Sequence, residues 1–325
     1  MTYVFMDIPV IDIEPFRTGR DRASVARAWD AAMCNTGFAV IAGHGIPGAL
    51  LNGVYDKAQA FFARPLDEKA KLSFADKGRG QGYLPMGSEV VGRGHDADAK
   101  PDLCESLTFA NPRFDAKAPD NALDARLYRA NIWPDDMPGF RDTVEAYIAA
   151  GRELALTLMR LSAAALDLPK GFFAPFFDRM ELNLRCVLYP DQPQAPDAHA
   201  LRYGPHTDFS GFTILRQDDA PGGLQVKTAD DWQDVTAIPG TLVINAGDLI
   251  QRWTNDRWVS NVHRVINPPR GVMGSTRRLS VVLFTGPNAD ARIATLPGCG
   301  ESKYAPILAG VHSEQRMRET YGAVS

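Results

Sequence analysis

The sequence predicts an α+β protein in which a jelly-roll core of short strands follows a helical N-terminal flank. Three observations carry that prediction. From Glu181 onward, short β-rich runs are separated by recurrent turn signals, a spacing that suits a jelly roll: Pro190-Asp-Gln-Pro193, Asp219-Ala-Pro-Gly-Gly223, Pro239-Gly240 and Asn255-Asp256. Before Glu181, apolar residues recur mainly at helical spacing. With 325 residues, 45% of them hydrophobic, the chain is long enough to bury a large core.

In order, residues 22–34 place Val25, Ala28, Trp29 and Ala32 on one helical face, and residues 48–62 repeat the pattern. Residues 76–101 are Gly-rich and charged, with Gly78-Arg-Gly80 and Gly92-Arg-Gly-His-Asp-Ala-Asp98, and read as a loop. Residues 138–168 form the longest helical pattern, carrying Val144, Ile148, Leu154, Leu158 and Leu161. Strands are expected at residues 184–190, 201–215, 258–266 and 277–284. The chain has no internal repeat and no low-complexity tract.

The strand over 201–215 contains His206-Thr207-Asp208, answered downstream by His263. Residues two apart on a strand share a side, so His206 and Asp208 reach one point while Thr207 faces away. Two histidines and a carboxylate hold Fe(II) on one face of an octahedron and leave the other positions open. Alone, the triplet equally describes a strand-end histidine bonded to a turn. His263, on the face of Asn261 and Val265, supplies the third ligand. Further on, Arg278 and Ser280 share a face with Val282 and Phe284, and Arg277 points the other way. That run also reads as an edge strand with solvated arginines. An inward arginine, however, needs an anion, because an unpaired buried charge is costly. A guanidinium grips a carboxylate with two hydrogen bonds, and a hydroxyl adds a third. Together the motifs suit iron plus a dicarboxylate.

These motifs resemble the 2-oxoglutarate- and Fe(II)-dependent oxygenases of the isopenicillin N synthase-like branch, and the resemblance spans residues 8–287. Ile8-Pro-Val-Ile-Asp12 resembles the family's opening strand. Gly37-Phe38 through Gly43-His44-Gly45-Ile46-Pro47 resembles its "GFF…NHGVP" segment, and Phe61-Phe62…Leu66-Asp67-Glu68-Lys69 its "FF…P…EK" helix. Gly82-Tyr83-Leu84-Pro85, Asp102-Leu-Cys-Glu105-Ser106, Asn131-Ile-Trp133-Pro134, Gly222-Gly223-Leu224-Gln225-Val226, Trp232 and Val243-Ile-Asn245-Ala-Gly247-Asp248 follow in the family's order.

The resemblance implies a double-stranded β-helix core, Fe(II) on His206, Asp208 and His263, and 2-oxoglutarate and O2 as co-substrates. The implied reaction couples oxidative decarboxylation of 2-oxoglutarate, giving succinate and CO2, to oxidation (chiefly hydroxylation) of a small organic substrate. Arg278, Ser280 and Tyr189 are implied to hold the far carboxylate of 2-oxoglutarate; Tyr189 matches the last Tyr of the family's "NYYP". Val187 stands where that pattern has Asn, so one polar contact is missing. Arg185 shares the face of Val187 and Tyr189. It either reaches solvent at the strand end or points inward to pair with an acidic group of the substrate. Phe284 matches a pocket-lining aromatic of relatives, and Phe209 and Trp253 are further pocket candidates. The turn between His263 and Arg278 is longer than in many relatives, which reshapes the rim. By region, residues 1–120 form an N-terminal dioxygenase region packing on the barrel, 121–180 a helical connection, 181–290 the jelly-roll core and 291–325 a C-terminal extension, all in one unit. Whether 76–101 acts as a lid stays open.

With 23% charged residues and a formal net charge of −4, the chain suggests neither a nucleic-acid surface nor a polybasic membrane anchor. No apolar run approaches the roughly 18 residues that span a bilayer. Residues 1–7 lack the basic stretch and apolar core of a secretion signal. Cys34, Cys104, Cys186 and Cys299 are scattered with no C-x-x-C, which suits reduced thiols in a cytoplasmic protein. Of the other histidines, His44 is expected to support a turn, His95 and His199 to be solvated, and His312 to lie on the surface of a charged C-terminal helix. Two further functions fit the same fold: an Fe(II) oxidase that does not use 2-oxoglutarate, and a non-catalytic small-molecule-binding barrel. Loss of a ligand would favour the latter, and all three ligands are present.

Overall fold

The computed structural model describes residues 8–74, 81–116, 119–192, 194, 196, 197, 199–229 and 231–321. The expectations on residues 1–7, on Gly78-Arg-Gly80 and on Pro193 lie outside the described residues. The N-terminal half runs β1 (Val10–Asp12), α1 (Glu14–Thr18), α2 (Arg22–Asn35), β2 (Phe38–Ala42), α3 (Gly48–Phe62), α4 (Leu66–Ala70), β3 (Gly82–Leu84), β4 (Glu105–Ala110), α5 (Arg113–Ala116), α6 (Ala122–Leu127) and α7 (Phe140–Ala165). The second half is strand-rich: β5 (Glu181–Tyr189), β6 (Tyr203–His206), β7 (Phe212–Arg216), β8 (Leu224–Lys227), β9 (Trp232–Asp234), β10 (Leu242–Ala246), α8 (Asp248–Trp253), β11 (His263–Val265), β12 (Arg278–Gly286), β13 (Arg292–Ile293), β14 (Ile307–Leu308) and α9 (Ala309–Tyr321).

Local chemistry sets the ends of these elements. Asp21 caps α2, its carboxylate accepting a 3.0 Å bond from the backbone N–H of Ser24. Just past that helix, Gly37 adopts φ +71° against the carbonyl of Val259, where a side chain would collide.

The major sheet runs β1-β2-β10-β7-β12-β5-β4-β3, so strands from the N-terminal region extend the jelly-roll strands at both edges. The minor sheet runs β6-β11-β8-β9. Period-two alternation gives the major sheet two different faces. Leu279, Val281 and Leu283 of β12, with Leu182, Leu184, Cys186 and Leu188 of β5, join Trp29, Val54, Leu154 and Leu158 of α2, α3 and α7 in the main core. Gly151 of α7 sits against Leu283, and a Cβ there would overlap it. A helical glycine costs about 1 kcal/mol relative to alanine, and here it lets the helix close on the sheet. The other face looks toward the minor sheet. Phe38, Val40 and Val243 of the major sheet pack there with Leu224 and Val226 of β8.

Three expectations change. The single strand over 201–215 is two: β6 ends at His206 and β7 begins at Phe212, with Asp208 in the connection. The connection leaves one sheet for the other, because the carbonyl of Asp208 accepts from Asp248 N (2.8 Å) and Gly211 N donates to Thr285 O (2.8 Å). The loop over 76–101 is partly regular, since Gly82–Leu84 pairs with β4 and Val91–Gly94 makes a 3-10 turn. His312 is buried rather than at the surface, because α9 folds inward and Arg316, one turn on, reaches Asp248. Burial pushes the His312 imidazole down to about 4.

Candidate active site

The cavity between the sheets is lined by the inward residues of the strands: Arg185, Val187 and Tyr189 of β5; Arg278, Ser280, Val282 and Phe284 of β12; Thr213 and Leu215 of β7; and Asn245 of β10. The minor sheet contributes Tyr203, His206, Leu224, His263 and Val265, and Asp208 comes from the β6–β7 connection. The open space is about 580 Å³ at most.

His206 and His263 face each other across the antiparallel β6–β11 pair, with ring centroids 4.2 Å apart. Each Nδ1 lies against a backbone carbonyl, Gly204 O at 2.9 Å and Asn261 O at 3.0 Å. An Nδ1–H donated there leaves both Nε2 atoms without hydrogen, aimed at Asp208. Asp208 Oδ2 accepts from Asn245 Nδ2 (2.6 Å) and Thr213 Oγ1 (2.5 Å). Its Oδ1 lies 3.7 Å from each Nε2, too far for a hydrogen bond. The ligating atoms all fall within 4.8 Å of one another. Burial and the neighbouring His263 push His206 well below the ordinary histidine value. Burial alone would raise the Asp208 carboxyl, but His263, His206 and the bonds from Asn245 and Thr213 outweigh it and hold it low. Three potential ligand atoms converge with no hydrogen bond between them. A cation completes such a cluster.

At the other end of the cavity Arg278 is 3% exposed. Its Nη1 donates to Asp218 O and its Nη2 to Gln217 Oε1, both at 2.7 Å and both neutral acceptors. Its Nε is buried and meets no acceptor among the described residues. Gly223 lies beside the guanidinium, and a Cβ there would come within 3.4 Å of it. Tyr189 pairs with Arg278 across β5 and β12, and Ser280 bonds the Tyr189 hydroxyl. A buried guanidinium with an idle N–H, flanked by two hydroxyls, fits a carboxylate.

The pocket candidates divide. Phe284 lines the cavity as expected, with Val282 beside it. Trp253 does not: it is 2% exposed in the main core, 5.2 Å from Phe173 and 5.1 Å from Phe176, because α8 turns its apolar side toward that aromatic cluster. Phe209 lies outside the cavity lining; it follows the ligand turn and packs 5.3 Å beneath Arg316 of α9. Arg185 does point inward, but it meets Glu89 in an ion pair instead of waiting for a substrate acid. His44 holds a turn, its Nδ1 accepting from Ile46 N at 3.1 Å. His95 and His199 are exposed, the latter 3.0 Å from Asp96.

Sequence reasoning missed Asn245, Thr213 and Glu89. For the first two a signal exists: each is a polar residue on the cavity side of an otherwise apolar strand, where only a partner justifies its burial. Glu89 gives no signal, since its partner is distant in sequence and its own segment is irregular.

Two histidines and a carboxylate that could hold a metal ion thus share one cavity with a buried guanidinium. Residues 180–287 match the 2OG-Fe(II) oxygenase superfamily, and residues 8–136 match the N-terminal region described as non-haem dioxygenase in morphine synthesis. The 2-oxoglutarate-Fe(II) type oxidoreductase hxnY of Emericella nidulans is 34% identical over 97% of this chain and 90% of its own length. The homoarginine-6-hydroxylase 2-ODD-233 of Oryza sativa subsp. japonica is 30% identical over 96% and 97%. Among solved structures, that of a full-length Neurospora crassa protein in complex with alpha-KG superposes with a TM-score of 0.86 at 29% identity, covering 99% of this chain and 98% of that one. The same protein with alpha-KG and thymine gives 0.85 at 29%, covering 99% of both chains. The chain belongs to the 2OG-Fe(II) oxygenase superfamily. It is a 2-oxoglutarate-dependent non-haem iron dioxygenase with a double-stranded β-helix core, a reading favoured over both the 2-oxoglutarate-independent oxidase and the non-catalytic barrel. No helix among the described residues is long and apolar enough to cross a membrane.

Proposed function

We propose that His206, Asp208 and His263 hold the Fe(II), that Arg278, Ser280 and Tyr189 hold the far carboxylate of 2-oxoglutarate, and that a small organic substrate is hydroxylated in the chamber bordered by Arg185, Val282 and Phe284. The observation that carries this is the pairing of two unmet charges across one cavity. Three ligand atoms with no hydrogen bond among them converge at one end, and a buried guanidinium hydrogen-bonded only to neutral acceptors, with one N–H unused, stands at the other. When bound, iron supplies the redox chemistry that joins dioxygen to the oxidation of both organic molecules.

The chain's own residues supply position and exclusion. Asn245 and Thr213 fix one oxygen of Asp208, so the other is presented in a single orientation. The carbonyls of Gly204 and Asn261 fix the two imidazoles in the same way. Leu215, Leu224, Val265, Val282 and Phe284 make most of the remaining wall apolar, which keeps water from the reacting carbon. The thymine bound to the Neurospora crassa protein and the homoarginine named for the rice relative support a polar substrate of that small size. The acidic substrate group anticipated opposite Arg185 has a competitor in Glu89. Four free cysteines, three of them buried, support residence in the reducing cytoplasm.

The test is chemical. Purified protein loaded with Fe(II) and given 2-oxoglutarate in air is expected to release succinate and CO2 in equal amounts, faster when a true substrate from a metabolite panel is added. No succinate under any condition sinks the proposal.

A further inference from the structure

Arg185 is the second buried guanidinium on the cavity wall, and unlike Arg278 it meets a carboxylate of the chain itself. Glu89 pairs with its Nη2, and the two side chains are only 11% and 10% exposed. The same Nη2 donates to Ser106 Oγ at 3.1 Å, and Nη1 donates to the Tyr203 hydroxyl at 3.2 Å. The guanidinium lies 5.6 Å over the Tyr203 ring, and that ring stands edge-on 4.8 Å from His206. The ion pair is therefore one aromatic ring away from a metal ligand.

Glu89 is held in place by its surroundings. Asp102 N donates to Glu89 O (2.9 Å), while the Asp102 carboxylate accepts from Val91 N (3.0 Å) and from Gly204 N (2.8 Å), on the strand that ends in His206. This clasp fixes the backbone of Glu89, and its carboxylate is held by Arg185.

Charge balance gives the pair its consequence. A metal dication and Arg278 offset Asp208 and the two carboxylates of 2-oxoglutarate. Among the charged residues lining the cavity Arg185 remains, and Glu89 offsets it. A substrate carboxylate would bring an uncompensated negative charge beside Glu89 in a largely desolvated wall, which is strongly unfavourable. An amide or ring carbonyl accepts a hydrogen bond from the guanidinium and adds no charge.

We propose that Glu89 is a specificity-determining residue that makes this active site select uncharged, carbonyl-bearing substrates over carboxylic acids. The proposal rests on the oxygenase reading above. It goes beyond it by naming the substrate class and the residue that sets it.

The experiment uses benzamide and benzoate, matched in size and different in charge. Oxygen-free protein is loaded with Fe(II) and 2-oxoglutarate and titrated with each probe by calorimetry, for the wild type, E89Q and E89D. Wild type and E89D are expected to bind benzamide at least about tenfold tighter than benzoate, and E89Q to erase or invert that ratio. An E89Q ratio equal to that of the wild type overturns the proposal, as does a wild type that prefers benzoate or an absence of heat from both probes in all three proteins. E89D, which keeps the charge, and a melting curve for each variant separate lost selectivity from lost folding. The loading step reports on the underlying reading by itself. No heat from 2-oxoglutarate sinks the oxygenase reading, whereas normal loading with an unchanged probe ratio sinks only the role of Glu89.

Discussion

Two regions of the cavity treat charge in opposite ways: the stretch that runs from the Asp208 cluster to Arg278, and the wall at Arg185. Along the first stretch, Asp208 Oδ1 lies 3.7 Å from two imidazole nitrogens, with no hydrogen bond to either, and Arg278 hydrogen-bonds to neutral acceptors. Near Tyr203, Arg185 is already matched by Glu89. A folded chain leaves buried charge uncompensated only where a ligand of opposite charge completes it, since the penalty for an unpaired buried ion is large. The first region is where the proposed iron and 2-oxoglutarate would supply the missing counter-charges. At the second, the chain itself supplies the counter-charge, which is the basis of the selectivity proposed for Glu89. The same residue type, arginine, on inward positions of two paired strands does two different jobs because of what stands opposite.

The most direct way to break this comparison is to empty the first region. Replacing His206, Asp208 or His263 with alanine, or chelating the metal, is expected to bring succinate formation to background while the melting temperature of the metal-free protein stays near that of the wild type. Full activity in any one variant removes that residue from the ligand set. R278L comes next. Hydrogen bonds to a charged group are worth about 1.5–3 kcal/mol each, so KM for 2-oxoglutarate should rise about tenfold to a hundredfold with metal affinity unchanged. R185L should leave that KM alone, and an equal rise in both variants would erase the distinction between the two arginines. One shell out, N245A frees Asp208 Oδ2, and Fe(II) affinity should fall by about 10–100-fold. Calorimetric metal titration reads it.

How much of this was legible depends on the distance over which the deciding contact acts. The jelly roll and the convergence of His206, Asp208 and His263 were readable because period-two alternation and a short H-x-D spacing are local signals. Arg278 was readable because burial of a charge on an apolar strand demands an anion. The split of 201–215 into β6 and β7 was not, because it is set by bonds from Asp208 and Gly211 to Asp248 and Thr285, far along the chain. Trp253 looked like a pocket residue and is core, since aromatic character alone does not say which side of a short helix meets which layer. Glu89 was invisible for the same reason: the residue that changes the meaning of Arg185 lies in an irregular segment tied down by Asp102. His312 shows the opposite error. Its charged neighbours suggested solvent, but the pairing of Arg316 with Asp248 and of Glu314 with Arg126 pins the helix inward.

That buried His312 gives a pH test. Its folded value of about 4 lies below the ordinary 6.5, so the folded chain keeps it neutral while the unfolded chain binds a proton near pH 6.5. The associated stability is complete above about pH 6.5 and is lost as the pH falls toward 4, by at most about 3 kcal/mol. H312Q, which cannot titrate, should flatten the acid limb of a urea-denaturation series on the metal-free protein. An unchanged slope between pH 6.5 and 4 would remove His312 as the cause, leaving His206, which burial shifts in the same direction.

The smallest expected effect lies behind the ligand turn, where one carboxylate gathers the surrounding donors. Asp248 Oδ2 accepts from Thr207 Oγ1 (3.1 Å) and from Arg316 Nε of α9 (2.8 Å), Oδ1 accepts from Ser260 Oγ (2.7 Å), and its own N–H holds the carbonyl of Asp208. Thr207 Oγ1, between His206 and Asp208 in sequence, thereby ties the ligand turn to Asp248 and to Arg316 of the C-terminal helix. The Arg316–Asp248 pair is partly solvated, so it contributes about 1 kcal/mol or less. R316L is accordingly expected to weaken Fe(II) binding only severalfold. Because Arg316 bonds to Asp248 and Thr207, on the metal side, the benzamide-to-benzoate ratio should stay fixed. A change in that ratio without a change in metal affinity would mean that the C-terminal helix acts on the Arg185–Glu89 pair instead of on the His206–Asp208 turn.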